Sequence, residues 1–237
     1  MPYSTLAVRQ ENAVAIIGLR RPARRNALNR EALGDLESVL TALRDDESVK
    51  AVILTGDETA FCSGQDIKEP EPPDYLDAFN SVMTQIENFP KPTVAAIAGW
   101  CIAGGLEMAI CCDQRVAVSE AKIGDFHVRI NSIGGGGATA RLPRLIGMAK
   151  AKRLIYTGEI VDGETALALG LVDWVCQSGE QVTIASALAE KMVPSDPRTF
   201  SYAKRSMHEC IEMPIAEAVD RSVALQRELQ ARINAAH

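Results

Sequence analysis

The sequence predicts an α/β core followed by a mostly helical C-terminal region. Short apolar runs that are typical of buried strands alternate with longer segments whose apolar residues recur at helical spacing. After Pro197 the chain reads as helical to its end. Strands that alternate with helices usually form a sheet covered by helices, so we assign residues 1–178 to the core and residues 179–237 to the helical region.

The first part of the chain contains a predicted hairpin, a capped helix and a buried strand. Residues 3–9 and 13–19 read as two strands joined by a tight turn. Asn29 can cap a helix over residues 30–44, whose leucines recur at helical spacing. Residues 51–55 form an apolar run that ends at a glycine, which is typical of a strand buried on both faces.

The rest of the chain continues this alternation. Residues 56–69 read as a loop and residues 99–105 as a turn, each following a predicted strand. Four consecutive glycines at 134–137 lie just before a helix that begins near residue 138. The other predicted elements are the strands 93–98, 115–118 and 171–176 and the helices 75–88, 106–112, 149–157, 163–169 and 181–192.

The composition is that of an ordinary globular protein. The chain has 237 residues, 47% of them hydrophobic and 24% charged, which argues against disorder. Its length allows one large domain, or one domain with a small appendage. The net charge of −6 disfavours a general role in binding nucleic acid or a membrane surface. We find no signal peptide at the N-terminus, and no apolar stretch is long enough to span a bilayer.

The cysteines and histidines favour a reducing compartment and no metal site. The cysteines contain no C-x-x-C pair, and a chain with a large core does not need disulfides, so we expect reduced thiols in a cytoplasmic protein. The histidines lack the spacing of metal ligands, so we expect no metal. These residues are Cys62, Cys101, Cys111, Cys112, Cys176, Cys210, His127, His208 and His237.

Two segments that follow predicted strands can bind a ligand through their backbone. In residues 60–67, Gly64 and its small neighbours allow a close approach, although an ordinary connection is the alternative. In residues 98–107, free amides at a helix start near Gly104 can stabilise an oxyanion, and Glu107 can act as a general base or acid. The alternative is that these glycines only allow close packing and that Glu107 only favours the helix N-terminus.

A third segment places His127 shortly before the four glycines. Histidine can transfer protons near neutral pH, whereas a lone histidine is more often structural or simply exposed. The glycines at 134–137 can cradle a ligand or only permit tight packing. The residues of this segment, taken alone, leave both interpretations open.

In their order and spacing, these segments resemble the crotonase superfamily, also called the enoyl-CoA hydratase/isomerase family. The matching motifs are residues 25–28, 60–67, 98–107, 112–113, 134–137, 141–142, 157–159 and 166–172. The resemblance implies a spiral of strand–strand–helix (ββα) units and a helical C-terminal region used in trimer formation. It also implies a coenzyme A thioester as substrate, no separate cofactor, and a homotrimer or a dimer of trimers.

The resemblance assigns roles to individual residues by motif position. The backbone N–H groups of Gln65 and Gly104 are expected to bind the thioester oxygen and stabilise an enolate. Glu107 matches one of the two glutamates that act in the family's hydratases. The residues implied near the coenzyme A moiety are Arg24, Arg25, Ala27, Cys62, Asp66 and Ile67.

The sequence departs from the family pattern at the second glutamate, where His127 stands. Glu107 and His127 can still share the tasks of activating water and protonating the α-carbon, so we predict an enoyl-CoA hydratase, a lyase of fatty acid metabolism. The same pair could serve isomerisation, decarboxylation or hydrolysis of a thioester or C–C bond. A non-catalytic acyl-CoA-binding protein is the remaining alternative.

An arginine cluster reconciles an acidic chain with an anionic ligand. Five arginines fall between residues 20 and 30, where the resemblance places the nucleotide. Because salt screens charges beyond ~10 Å, this local cluster matters more to a bound ligand than the net charge does. A solvated basic turn is the alternative interpretation. The cluster consists of Arg20, Arg21, Arg24, Arg25 and Arg30.

Overall fold

A computed structural model describes residues 3–235. Residues 1–2 of the predicted core and residues 236–237 of the predicted helical region, including His237, lie outside the described residues. Its strands are β1 (Leu6–Glu11), β2 (Val14–Leu19), β3 (Ala51–Thr55), β4 (Ala60–Cys62), β5 (Thr93–Ile97), β6 (Trp100–Ile102), β7 (Gln114–Val118), β8 (Lys122–Gly124) and β9 (Trp174–Cys176). Its helices are α1 (Arg30–Asp45), α2 (Tyr75–Glu87), α3 (Gly104–Ile110), α4 (Ala138–Ile146), α5 (Met148–Thr157), α6 (Gly163–Leu169), α7 (Gln181–Met192), α8 (Pro197–Cys210) and α9 (Ile215–Asn234).

Within the described range, the strands form two sheets. The larger sheet has the order β1-β2-β3-β5-β7-β9, and the smaller one has the order β4-β6-β8. The first two strands pair antiparallel, as the predicted hairpin requires, and the other neighbours in both sheets pair parallel. The chain thus passes from a strand of the larger sheet to a strand of the smaller sheet and on to a helix, as in β3-β4-α2 and β5-β6-α3. This recurrence confirms the expected ββα organisation.

The larger sheet is buried on both faces, which explains its continuous apolar runs. On one face, Ile17 and Leu54 join the main core with α1 and α2. On the other face, Ile16 and Ile53 pack against Ala185 of α7. Helix α7 lies in the segment 179–237 but packs against β3 and β5, so the division of the chain at residue 178 stays a prediction.

The long predicted elements are confirmed. Strands β4 and β6 of the smaller sheet lie in the segments predicted as loop and turn, and no element is predicted over β8. Asn29 caps α1 by accepting a hydrogen bond from Ala32 N–H at 2.9 Å. The strands of the smaller sheet are three residues each, too short to show the alternation that identifies a strand. The C-terminal segment forms two helices rather than one, because the chain turns at residues 211–214, where Pro214 precedes α9.

No helix among residues 3–235 is both long enough and apolar enough to cross a bilayer.

Candidate active site

A cavity of about 1010 Å³ opens beside the smaller sheet. Of the residues predicted from the sequence to form the site, it is lined by Arg24, Arg25, Ala27, Gln65, Asp66, Ile67, Gly104, Glu107 and His127. Cys62 does not line the cavity. The Cys62 side chain is buried in the core, where burial raises the pKa of its thiol to about 12.

The smaller sheet brings the two predicted backbone sites together. Because β4 and β6 are parallel neighbours, the segments that follow them leave the sheet side by side. A Cβ on Gly64 would lie 2.9 Å from the Gly104 nitrogen, so only glycine allows this approach. Among the described residues, neither Gln65 N–H nor Gly104 N–H is bonded to a protein acceptor. Two free amides therefore lie at adjoining positions of the cavity wall.

The backbone is strained at the start of α3. Ala103 has φ 51° and ψ −123°, a conformation that residues with a side chain rarely adopt. Strain of this kind persists only where the surrounding structure enforces it, and it is concentrated at functional sites. Here it directs the chain from β6 into α3, so that Gly104 is the first residue of the helix.

Glu107 lies on the first turn of α3 and is almost completely buried, with 1% of its surface exposed. Its Oε1 atom accepts a hydrogen bond at 3.0 Å from Ala138 N–H, at the start of α4. Burial raises the pKa of this carboxyl group, whereas the Ala138 N–H and the neighbouring His127 oppose that shift. The result is a carboxyl group with one oxygen anchored and a pKa above its ordinary value.

His127 follows β8 and faces Glu107 across the inner end of the cavity. Its Nε2 atom lies 3.9 Å from Glu107 Oε2, and its Nδ1 atom lies 3.0 Å from Asp125 Oδ1. Burial lowers the pKa of His127, but the hydrogen bond and charge of Asp125 and the charge of Glu107 outweigh burial, so the net pKa is raised. Phe126, between the two, has φ 58°, in the left-handed region.

The glycine run is required by the position of Glu107. A Cβ on Gly134 would lie 2.5 Å from Glu107 Oε1, and a Cβ on Gly136 would lie 2.7 Å from Glu107 Oε2 and would overlap Phe79. The run thus allows the loop before α4 to close over the carboxyl group. This close approach favours the packing interpretation of these glycines, at positions that also line the cavity.

At the outer end of the cavity, only part of the arginine cluster is available to a ligand. Arg21 is paired with Asp66 at 3.0 Å and with Glu69 at 2.5 Å, and Arg30 is paired with Asp74 at 2.9 Å. Of the five cluster members, those that line the cavity are Arg24 and Arg25, and Arg24 also lies 3.8 Å from Asp66. Arg25 also lies over the ring of Trp100, 5.4 Å from its centroid.

Several lining residues were not predicted from the sequence. Helix α2 supplies Tyr75, Leu76 and Phe79, and the segment before the glycines supplies Ile130 and Ile133. The amphipathic pattern of α2 identifies its buried face but does not say which residues face a cavity. Asp125 was also not assigned a role, and its only signal is its position two residues before His127.

Comparison with known proteins agrees with this fold. The chain matches the family described as enoyl-CoA hydratase/isomerase over residues 9–235. It is 35% identical over 217 residues to the mitochondrial methylglutaconyl-CoA hydratase of Mus musculus, covering 87% of this chain and 69% of that protein. It is 33% identical over 226 residues to the short-chain-enoyl-CoA hydratase of Clostridium acetobutylicum, covering 92% of this chain and 87% of that one.

Among solved structures, the enoyl-CoA hydratase from Bacillus anthracis superposes with a TM-score of 0.90. That protein is 31% identical to this chain, and the match covers 94% of this chain and 90% of that one. The resemblance seen in the sequence and the fold class that it implied are therefore confirmed. The chain belongs to the enoyl-CoA hydratase/isomerase family, the crotonase superfamily.

Proposed function

We propose that this protein is an enoyl-CoA hydratase, a lyase that adds water across the double bond of a 2-enoyl-CoA. The observation that carries the proposal is the pair of buried ionisable side chains, Glu107 and His127, 3.9 Å apart at the inner end of the cavity. Free amides of Gln65 and Gly104 lie in the wall of the same cavity. Relatives named as hydratases of enoyl-CoA thioesters support this function.

The two amides would bind the thioester oxygen. When water attacks the β-carbon, the electrons of the double bond move to that oxygen and form an enolate. Donors aimed at an oxygen where charge develops stabilise the transition state, and the loss of one donor typically costs ~3 kcal/mol. Gln65 and Gly104 have their N–H groups free for this purpose.

The two side chains would move the protons. Ionised Glu107, anchored by Ala138 N–H, would take a proton from the attacking water, whose oxygen joins the β-carbon. Protonated His127 would give its Nε2 proton to the α-carbon as the enolate collapses. Hydrogen is thereby added at one carbon and hydroxyl at the other. Their separation of 3.9 Å is too long for a direct hydrogen bond, so the proton on Glu107 would return to His127 through one bridging water after turnover.

The cavity supports a coenzyme A thioester with an apolar acyl chain. Arg24 and Arg25 at the outer end can pair with the phosphates of the nucleotide, next to Ala27, Asp66 and Ile67. The side chain of Cys62 cannot contact coenzyme A, because it lies in the core. Only the backbone of the segment that begins at Cys62 can contribute to binding. Apolar side chains that also line the cavity are suited to a hydrocarbon chain, and they are Leu76, Phe79, Ile130 and Ile133.

We further propose that no metal or separate cofactor is needed, because backbone amides can supply the electrophilic stabilisation that a Lewis acid would otherwise provide. Hydration should therefore survive treatment with a chelator.

A cytoplasmic location is also a proposal, supported by free cysteines at all six positions. Because the name of the mouse relative includes a mitochondrial location, cell fractionation is the appropriate test.

A homotrimer or a dimer of trimers is the proposed assembly. Helices α8 and α9 and the turn between them leave large apolar side chains exposed, including Met207, Ile211, Ile215 and Val219. A patch of this kind is suited to contact with another subunit. Light scattering during gel filtration should give three or six times the chain mass of 25.6 kDa, and a monomer would contradict the proposal.

A panel of coenzyme A thioesters analysed by mass spectrometry tests the reaction. We expect crotonyl-CoA or a longer 2-enoyl-CoA to gain one water, with loss of the absorbance of the conjugated thioester. A product of unchanged mass in which the double bond has moved would indicate isomerisation. Loss of carbon dioxide from the thioester would indicate decarboxylation, and release of free coenzyme A would indicate hydrolysis. Binding without turnover across the panel would favour a non-catalytic acyl-CoA-binding protein.

A further inference from the structure

A second carboxylate lies directly behind the proposed acid. Asp125 is 2% exposed and does not line the cavity, so it cannot touch a substrate. Its Oδ1 atom lies 3.0 Å from His127 Nδ1, and its carbonyl oxygen accepts the His127 backbone N–H at 2.8 Å. Both contacts hold the histidine, one through its ring and the other through its backbone.

We propose that Asp125 is a positioning residue, which orients the His127 ring, keeps a proton on Nδ1 and thereby leaves Nε2 facing Glu107 as the atom that exchanges protons. This inference rests on the proposed hydratase function. It adds to that function a residue for which the family motifs stated above provide no role.

The proton on Nδ1 follows from the chemistry of the pair. An ionised carboxylate only accepts hydrogen bonds, so at 3.0 Å the Nδ1 atom must be the donor. After His127 gives up a proton, its neutral form therefore keeps Nδ1–H and presents a bare Nε2 atom. That atom is the one 3.9 Å from Glu107, and it can receive the proton returned by that residue through one bridging water.

Because Asp125 is buried, its negative charge needs His127 as a partner to stabilise it. A buried carboxylate is costly unless it is paired, and among the described residues the charged partner of Asp125 is His127. The groups that face His127 are Asp125 from the segment after β8 and Glu107 from α3. Arg129 belongs to the same 3-10 turn as His127 (His127–Ile130) but extends toward Gly158 at the end of α5. Among the residues that the structure describes, the charged groups that act on the imidazole are therefore the two carboxylates, Asp125 and Glu107.

Removal of the Asp125 charge should shift the pH dependence of kcat/KM in one direction. If His127 is the acid, kcat/KM falls as pH rises through its pKa, because the proton to be donated is lost. Asp125 favours the protonated imidazole, so Asp125→Asn should move this alkaline limb to lower pH. A carboxylate this close typically shifts a neighbouring pKa by one unit or more, so we expect a displacement of about one pH unit.

Histidine NMR can measure the pair directly, because the chain has three histidines. In histidine-labelled protein, the resonance lost in His127→Gln identifies His127. Its titration is then compared in the wild type, in Asp125→Asn and in Glu120→Gln, a control that removes an exposed carboxylate from the preceding turn. We expect the pKa of His127 to fall by about one unit in Asp125→Asn and to be unchanged in Glu120→Gln.

The wild-type protein provides a second test that does not depend on the folding of Asp125→Asn. Above the pKa of His127, the ¹⁵N shifts should show a protonated Nδ1 and a bare Nε2. The opposite tautomer, or an Asp125→Asn variant that folds with an unchanged pKa of His127, would overturn the proposal. If the wild type hydrates no 2-enoyl-CoA, the hydratase function fails, while the NMR results still decide whether Asp125 controls His127.

Discussion

The inner and outer ends of the cavity use charge in opposite ways. At the inner end, Glu107 and His127 are buried, and their pKa values depend on individual neighbours. At the outer end, Arg24 and Arg25 are exposed to solvent and lie on a turn. Because water and salt screen exposed charges, a substitution at the outer end should weaken binding modestly, whereas one at the inner end should slow the chemical step by orders of magnitude.

The largest effect is expected from Glu107→Gln. The amide is similar in shape but cannot take a proton, so kcat for hydration should fall on the order of 10²–10⁴-fold. Glu164→Gln is a matched control, because Glu164 also lies on the first turn of a helix but is exposed. Steady-state kinetics with a 2-enoyl-CoA would contradict the assignment if both variants kept the wild-type rate.

A methyl group on Gly136 should have the next largest effect. It would overlap Phe79 and approach Glu107 Oε2 to 2.7 Å, so the carboxyl group must move. A displacement of this size at reacting groups can reduce kcat roughly 10²-fold. Gly135→Ala is the neighbouring control, because its methyl group would meet only the end of the flexible Leu76 side chain. Equal losses in the two variants would show that the position of Glu107 is not the cause.

The pH dependence of kcat/KM tests whether Glu107 and His127 act together as base and acid. The base Glu107 must be ionised and the acid His127 protonated, so kcat/KM should fall at low pH and again at high pH. Because both pKa values are raised, each limb should lie above the ordinary value for its residue type. The alkaline limb should be absent from the residual activity of His127→Gln. A profile unchanged in that variant would remove His127 from the mechanism.

The smallest effect is expected at the outer end. Replacing Arg24 or Arg25 with alanine should raise KM for the coenzyme A thioester by several-fold, with kcat nearly unchanged, because an exposed ion pair contributes only about 0–1 kcal/mol. The increase should shrink at high salt. Arg20→Ala is the control, because Arg20 is exposed but does not line the cavity. A similar KM in all three variants would place the nucleotide elsewhere.

Elements marked by a local sequence pattern could be predicted, whereas elements that depend on residues distant in the sequence could not. The Asn29 cap, the helical spacing of α1 and the apolar run of β3 are local patterns, and each predicted its element correctly. Strands β4, β6 and β8 carry no such pattern, because three residues are stabilised only by their neighbours in the smaller sheet. That sheet nevertheless holds the three segments that carry the candidate site.

The sequence by itself determined the α/β core, the helical C-terminal segment, the family and the identity of Glu107 and His127 as candidate acid and base. Tertiary structure alone decided that these two side chains face each other, that Asp125 stands behind one of them, and that Arg21 and Arg30 are occupied by acidic partners. The physical reason is that propensity and periodicity act over a few residues. Contact between α3 and the turn after β8 arises only when the parallel strands of the smaller sheet assemble.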